Sequence, residues 1–355
     1  EKIKEAYDQN KQSVELVSGE KIVCVPLEQA DGSVRMGIGP GAVMVVDKAK
    51  IARSTPVANS LMPAGLDAVL SAEELRDLMT YLLTEQPVMR DYPPLPRDGV
   101  KHAPAPRLRS EVEAVLAGVP ESDPAPQAIH VALVAGSKDH GFGEHDYPRW
   151  QHVWSRMLAI AEHTEVSTAW EWPSPAQWED ADVMVFYKRG NWTRDRIVQL
   201  EDFLKSGGGA VFIHWACEAD AHAPDLARVI GLASNSKLTK YRHGIINLTF
   251  DGSSPHPITR GFEKTTFHDE SYWQLVGNRR DFHTLATAPE AREEHPLFWV
   301  RELGEGRVFV SIPGHYSWTF DDPLFRVLLL RGIAWAANEP VDRFNNLVTA
   351  GVVVR

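Results

Sequence analysis

The chain has 355 residues, 43% of them hydrophobic and 24% charged, an ordinary globular composition with room for one large domain and a smaller one. A formal net charge of -11 and a pI near 5.7 argue against nucleic acid or an anionic membrane surface as partner, because a field of that sign repels phosphate. No apolar run approaches the roughly 20 residues that cross a bilayer, and no signal peptide is visible; the first residue is Glu1, so the expectation is that a leader or upstream region has been removed.

In chain order, residues 1–85 read as a small module. Val14-Glu-Leu-Val17, Lys21-Ile-Val-Cys-Val-Pro26 and Ala42-Val-Met-Val-Val46 alternate with the period of short strands. Ser71-Ala-Glu-Glu74 is a capping box, and Leu75, Leu78, Met79, Leu82 and Leu83 then repeat at helical spacing. Residues 86–128 are rich in proline and predict an extended linker interrupted by one short helix over 109–116. From 129 to 338, strand and helix alternate. Strands are expected at 129–135, 166–172, 182–187 and 210–213, with helices at 150–161, around Gln177 and at 192–205, a rhythm that implies a doubly wound parallel sheet. After Tyr241 come strands without long helices, at 245–250, 283–286, 297–300 and 307–312, then an apolar helix over 323–337 and a tail over 339–355. Cys24 and Cys217 fall in separate domains, which makes a disulfide between them improbable, and the absence of Cys-x-x-Cys-His excludes covalent c-type haem.

The chemistry-bearing residues gather where predicted strands end, the place where an open α/β sheet binds its ligand. His140 and His145 sit in a glycine-bearing loop after the first strand of the main domain; they suit metal binding or proton transfer, and a loop held by His-to-backbone bonds is the plain alternative. Asp139 and Glu144 read as acids that complement a helix start. His214 ends an apolar strand, either as a satisfied core histidine or as a ligand. In His268-Asp269-Glu270, strand alternation puts His268 and Glu270 on one face and Asp269 on the other, so the first two suit a divalent ion or an acid/base pair unless the run is a surface charge cluster. His315 follows Pro313-Gly314, a turn that exposes its imidazole. Trp192, Trp215, Trp273 and Trp318 lie beside these loops and offer faces for sugar rings, while Lys188, Arg189, Arg242 and His243 offer donors to hydroxyl or keto oxygens.

Gly136-x-x-x-His140-Gly-x-Gly-Glu-His145, Gly207-Gly-Gly-Ala-Val-Phe-Ile-His214, His256-Pro-Ile-Thr-x-Gly261, His268-Asp-Glu-x-Tyr272, Gly306-Arg-Val-Phe with Gly314-His315, and Gly332-Ile-Ala-Trp335 together resemble the trehalose-utilisation (ThuA-like) family over about residues 129–338. The resemblance implies an α/β fold of flavodoxin-like, class I glutamine amidotransferase-like form, a periplasmic or secreted setting, and processing of trehalose-like or 3-keto glycosides. In that fold a nucleophile sits at the elbow after a central strand, which draws attention to Cys217, with His315 as base and Glu270 or Asp269 orienting it. No Gly-x-Cys-x-Gly elbow is present, however. Ser60-Leu-Met-Pro-Ala-Gly-Leu66 and the run over 70–82 resemble the end of cytochrome-c-like domains, where Met62 would be an axial ligand; with the attachment motif missing, Met62 reads as a packing residue.

The expected catalytic set is Glu270, His315, His140 and Asp269. His145, Lys188, Trp192, Trp215, His243, Trp273 and Trp318 are expected to bind a carbohydrate, and His214 and His268 to hold a divalent ion, zinc foremost. A metal-free acid/base pair remains the other route, and a non-catalytic carbohydrate-binding module the other class.

Overall fold

The structure is a computed structural model, and it describes residues 12–30, 32–39, 42–57, 103–118 and 125–355. They belong to two compact units, Glu1–Met79 and Thr80–Arg355.

In the first unit β1 (Gln12–Leu16), β2 (Lys21–Ala30), β3 (Ser33–Gly39), β4 (Ala42–Asp47) and β5 (Ile51–Pro56) form an antiparallel sheet in the order β4-β3-β2-β1-β5. Alternation turns Val14, Ile22, Cys24, Val34, Met36 and Val46 into one small buried cluster. The three strands expected from periodicity coincide with β1, β2 and β4. The capping box at Ser71, the helix after it, Met62, the haem-domain resemblance and most of the proline-rich stretch lie outside the described residues.

The second unit begins with α1 (Arg109–Leu116), β6 (Ile129–Ala135), α2 (Tyr147–Leu158), β7 (Thr164–Trp170), α3 (Pro175–Asp180), β8 (Val183–Tyr187), α4 (Arg194–Lys205), β9 (Gly209–Ile213) and α5 (Ala223–Ile230). It continues through β10 (Lys240–Phe250), β11 (Lys264–Trp273), β12 (His283–Glu290), β13 (Glu293–Leu303), β14 (Gly306–Ser311) and α6 (Pro323–Ala336). A nine-stranded sheet runs β11-β10-β12-β13-β14-β9-β8-β6-β7. Pairing is parallel from β14 to β7 and antiparallel from β11 to β14. Strands β8 and β9 are buried at every position, as continuous Val, Ile and Phe runs in a two-sided parallel sheet must be. Helix α6 is also buried throughout, its start capped by Asp322, which accepts from Leu324 N at 2.9 Å.

Helix α5 was not foreseen from the sequence. It is only eight residues long, opens on Ala223-Pro224 without a side-chain cap, and is stopped by Gly231 at φ +98°, where a Cβ would meet Phe282 at 2.9 Å.

Both flanks of the main α/β region pack onto it. Arg109 N donates to Arg355 O at 2.7 Å and Arg355 N to Arg107 O at 2.8 Å, while Phe344, Leu347 and Val348 are fully buried. The knot of this packing is Arg331, inaccessible to solvent on α6. Its guanidinium meets Asp342 Oδ1 at 3.1 Å, Arg260 O at 2.7 Å and Val115 O at 3.3 Å, so one charge ties α1, the 258–260 turn and the C-terminal segment to α6. Arg331→Ala strands a buried carboxylate and several carbonyls, and a loss of about 3–5 kcal/mol in urea unfolding is expected; a loss below about 1 kcal/mol would contradict this account.

Candidate functional site

Three histidines come from the carboxyl ends of parallel strands. His214 directly follows β9, His315 lies just past β14, the neighbour of β9, and His145 closes the loop after β6. Both His145 (φ 42°) and His214 (φ 56°) adopt left-handed backbone, a conformation that costs a non-glycine residue energy and is retained where the surroundings fix a side chain in place. Gly314 (φ 143°) is required for a second reason: a Cβ there would come within 2.7 Å of Ile213 Cγ2, where the chain crosses the end of β9. Glu270 arrives from β11. Its backbone is pinned by Asp269, whose Oδ1 accepts from Glu270 N at 2.6 Å, Gly314 N at 3.1 Å and His315 N at 3.0 Å, while Oδ2 accepts from Thr319 Oγ1.

The four side chains meet at one point. His145 Nε2 and His214 Nε2 are 2.9 Å apart, His214 Nε2 and His315 Nδ1 3.2 Å, and Glu270 Oε2 lies 2.9 Å from His315 Nδ1 and 3.2 Å from His214 Nε2. All four potential ligand atoms fall within 4.8 Å of one another. The outer nitrogens decide what the inner ones present. His214 Nδ1 faces Ile312 O at 2.7 Å, and His145 Nδ1 faces Asp139 Oδ1 at 2.9 Å. Both partners accept, so each Nδ1 carries a hydrogen and each ring turns its Nε2 inward, where it presents a lone pair whenever the ring is neutral. Two lone pairs at 2.9 Å repel unless a positive centre lies between them.

The local electrostatics divide the cluster into neutral and charged groups. Burial pushes His145 down to about 2 against the pull of Asp139, with His214 and His315 adding, so this ring stays neutral. Burial opposes charge on His315 too, but Glu144 and Glu270 outweigh it and raise the imidazole to about 9. The same contacts from His214 and His315 hold Glu270 well below the usual carboxylate range despite its burial. Without a cation, His315 thus stands protonated between Glu270 and Glu144, whose Oε1 is 3.5 Å from its Nε2, and ligating a metal would release that proton. His243, paired across from Glu270 on β10, fixes the other carboxylate oxygen at 3.3 Å and is itself held by Tyr316 Oη at 2.7 Å.

A cavity of about 260 Å³ opens over the cluster, bounded by His140, Trp215, Ser234, Thr239, Tyr241 and Tyr272. His140 projects into it, its Nδ1 held at 2.9 Å by the same Asp139 Oδ1 that holds His145. Burial disfavours charge on Asp139, but those two rings outweigh it and keep the carboxyl far below its ordinary range. Asp139 and Glu144, read from the sequence as helix-dipole acids, therefore each serve a histidine of the cluster.

Of the residues singled out from the sequence, His140, His145, His214, Trp215, His243, Glu270 and His315 meet here. Others are placed elsewhere. Lys188 is buried with Nζ spent on Arg189 O at 2.6 Å and Gly190 O at 3.2 Å. Trp192 is core, donating to Ala216 O at 2.7 Å. Trp318 stacks on Tyr316 and donates to His268 O at 2.8 Å, and Trp273 lines a separate cavity with Arg279 and His295. His268 stands apart from the four converging groups; burial and Arg107 lower its imidazole. Asp269 reaches the backbone amides of Glu270, Gly314 and His315 and the Thr319 hydroxyl. The β10–β11 pairing runs in unbroken register through 264–273, and Asp269, Glu270, Ser271 and Tyr272 are buried in succession because both faces of β11 are covered there. Cys217 is fully buried, which pushes its thiol up to about 12, so no thiolate nucleophile forms at neutral pH. Tyr147, whose Oη lies 2.9 Å from His145 Nδ1, and Tyr272 went unassigned because phenols carry no spacing signature.

Beside the site, burial pushes Glu218 up to about 7, with the Asp220 carboxylate contributing. An acid raised in the folded state binds more protons there than when unfolded, so stability falls as pH climbs from about 4.5 through 7. Glu218→Gln is expected to abolish that slope and gain about 2 kcal/mol at pH 8; parallel pH profiles for variant and wild type would refute it.

A mixed α/β sheet with a His/Glu cavity at the carboxyl ends of its parallel strands defines the class of protein. The chain belongs to the ThuA family, described as trehalose utilisation, whose profile matches residues 132–336. It is similar to a ThuA-like protein of Parabacteroides merdae, with 21% identity, 59% of this chain and 90% of that one covered, and a TM-score of 0.46. It is also similar to a ThuA-like protein of Bacteroides uniformis, with 16% identity, coverages of 61% and 95% and a TM-score of 0.49. A cytoplasmic protein of Salmonella typhimurium, STM3548, shows 14% identity, coverages of 58% and 98% and a TM-score of 0.41. No curated protein matches the chain.

Proposed function

We propose that the chain is a carbohydrate-processing enzyme that holds a divalent cation, zinc foremost, on His145, His214, His315 and Glu270. The observation that carries this is the pair of inward Nε2 atoms, each ring fixed from its far side by a hydrogen bond from Nδ1 to a carboxylate or a backbone carbonyl. That arrangement orients metal-ligating histidines. Donors about 2.1 Å from one tetrahedral zinc stand roughly 3.4 Å apart, so a cluster at 2.9–3.2 Å needs to open only slightly. A cation there supplies a Lewis acid for a sugar oxygen.

The chain's own groups do the rest. His140, aligned by Asp139 and facing the cavity, is placed to take a proton from substrate or water, in the way a carboxylate orients a catalytic imidazole. Trp215 offers a flat apolar face, and Ser234, Thr239 and Tyr241 offer hydroxyls, a lining suited to a neutral polyol. The family's description, trehalose utilisation, points the same way. The small strand module and the α/β unit are proposed as separate domains, the α/β one bearing the activity.

Elemental analysis of purified protein, with turnover of ordinary and 3-keto glycosides before and after chelation, tests the reading. Stoichiometric metal and chelator-sensitive turnover are expected. Full activity in metal-free protein would remove the cation, and absence of turnover across the panel would favour a sugar-binding module.

A further inference from the structure

Resting on the sugar-processing reading of the cavity, we propose that Tyr272 is a catalytic residue whose hydroxyl donates a hydrogen bond to the substrate oxygen that gains negative charge during the reaction. Tyr272 is near the end of β11, paired with Tyr241, and only 6% exposed. Its ring lies 5.0 Å from the His214 imidazole at 30° and forms part of the cavity wall. Its hydroxyl is 3.2 Å from His214 Nε2 and 3.5 Å from Glu270 Oε2.

Among the described residues, both partners of this hydroxyl belong to the converging cluster. With Nδ1 committed to Ile312 O, a neutral His214 presents its lone pair at Nε2, and toward that ring Tyr272 is then the donor. Glu270 Oε2 already receives His315 at 2.9 Å, so the long contact from Tyr272 is dispensable to it. Once a cation takes the His214 lone pair, the phenolic hydrogen is left facing the cavity at the spot where a polarised substrate oxygen would sit. A buried, prealigned donor aimed at developing charge is worth far more than the same contact in water, because nothing reorganises during the reaction. The hydrogen remains on Tyr272 throughout; no proton is transferred.

Tyr272→Phe keeps the ring, its packing and the four ligands. In zinc-loaded protein the variant is expected to lose about 100-fold in kcat with KM nearly unchanged. Zinc affinity and melting temperature should match the wild type. A binding measurement independent of turnover accompanies it: gluconohydroxamate, a sugar-like oxyanion, is expected to bind the variant about tenfold more weakly, the size of one charge-assisted hydrogen bond. Wild-type kcat together with wild-type hydroxamate affinity would overturn the role of Tyr272 while leaving the sugar-processing reading intact. Loss of zinc or a melting point several degrees lower would overturn it in favour of a structural role. A wild type that turns over no glycoside but binds hydroxamate through Tyr272 would retain the contact and remove the sugar-processing reading, and a wild type that does neither would remove both.

Discussion

His214→Ala is expected to weaken zinc binding by a factor on the order of 10³, about 4 kcal/mol at 1.4 kcal/mol per decade, and to reduce turnover to background. The effect is large because His214 Nε2 is the hub of the cluster, within 3.2 Å of His145, His315, Glu270 and Tyr272. Binding of a cation to the folded state alone also stabilises it. At a free metal concentration 1,000-fold above Kd the gain is about 4 kcal/mol, so chelation should lower the melting temperature of the wild type by about 8–16 °C. The variant should melt at one temperature with or without chelator. Calorimetric zinc titration and paired melts check both statements, and a chelator-insensitive wild type would refute the cation.

Asp269→Ala is expected to cost about 4 kcal/mol of stability and to lose metal affinity with it. Asp269 is wholly inaccessible and gathers amide hydrogens from Glu270, Gly314 and His315 together with the Thr319 hydroxyl. Alanine leaves these buried donors without an acceptor, each at about 1–3 kcal/mol with some relief by water, and frees the segment carrying His315 from the strand carrying Glu270. Asp269→Asn keeps one acceptor and should lose roughly half as much. Urea unfolding and zinc titration measure the two losses; a variant as stable as wild type would contradict the clamp.

The parallel half of the fold was legible because buried strands are continuous apolar runs: 129–135, 182–187 and 210–213 were placed to within a residue or so. The strand-end rule applied to the sequence gathers His140, His145, His214, Glu270 and His315 toward one crevice. What stayed hidden depended on what the antiparallel half meets. Strand alternation assigns His268 and Glu270 one face of β11 and Asp269 the other, and the pairing with β10 has no bulge; what alternation does not show is that the 314–315 segment gives its amides to Asp269 and its imidazole to Glu270. The tryptophans were overcounted for a plainer reason. An indole near a strand end finds a carbonyl and packs, as Trp192 and Trp318 do, and nothing in the sequence separates it from Trp215, which does reach the cavity.

The cavity draws its two sides from different parts of the chain. The ligand atoms hang from β6, β9, β14 and β11, set by a sheet whose strand spacing of about 4.8 Å is not negotiable. Ser234, Ser236 and Thr239 come from one short connection into β10, and Tyr241 from the start of that strand's pairing with β11. On the proposed reading, chemistry and selectivity would then lie in separable stretches, and exchanging 234–239 between relatives would be a route to new substrate preference that leaves the His/Glu cluster where it is.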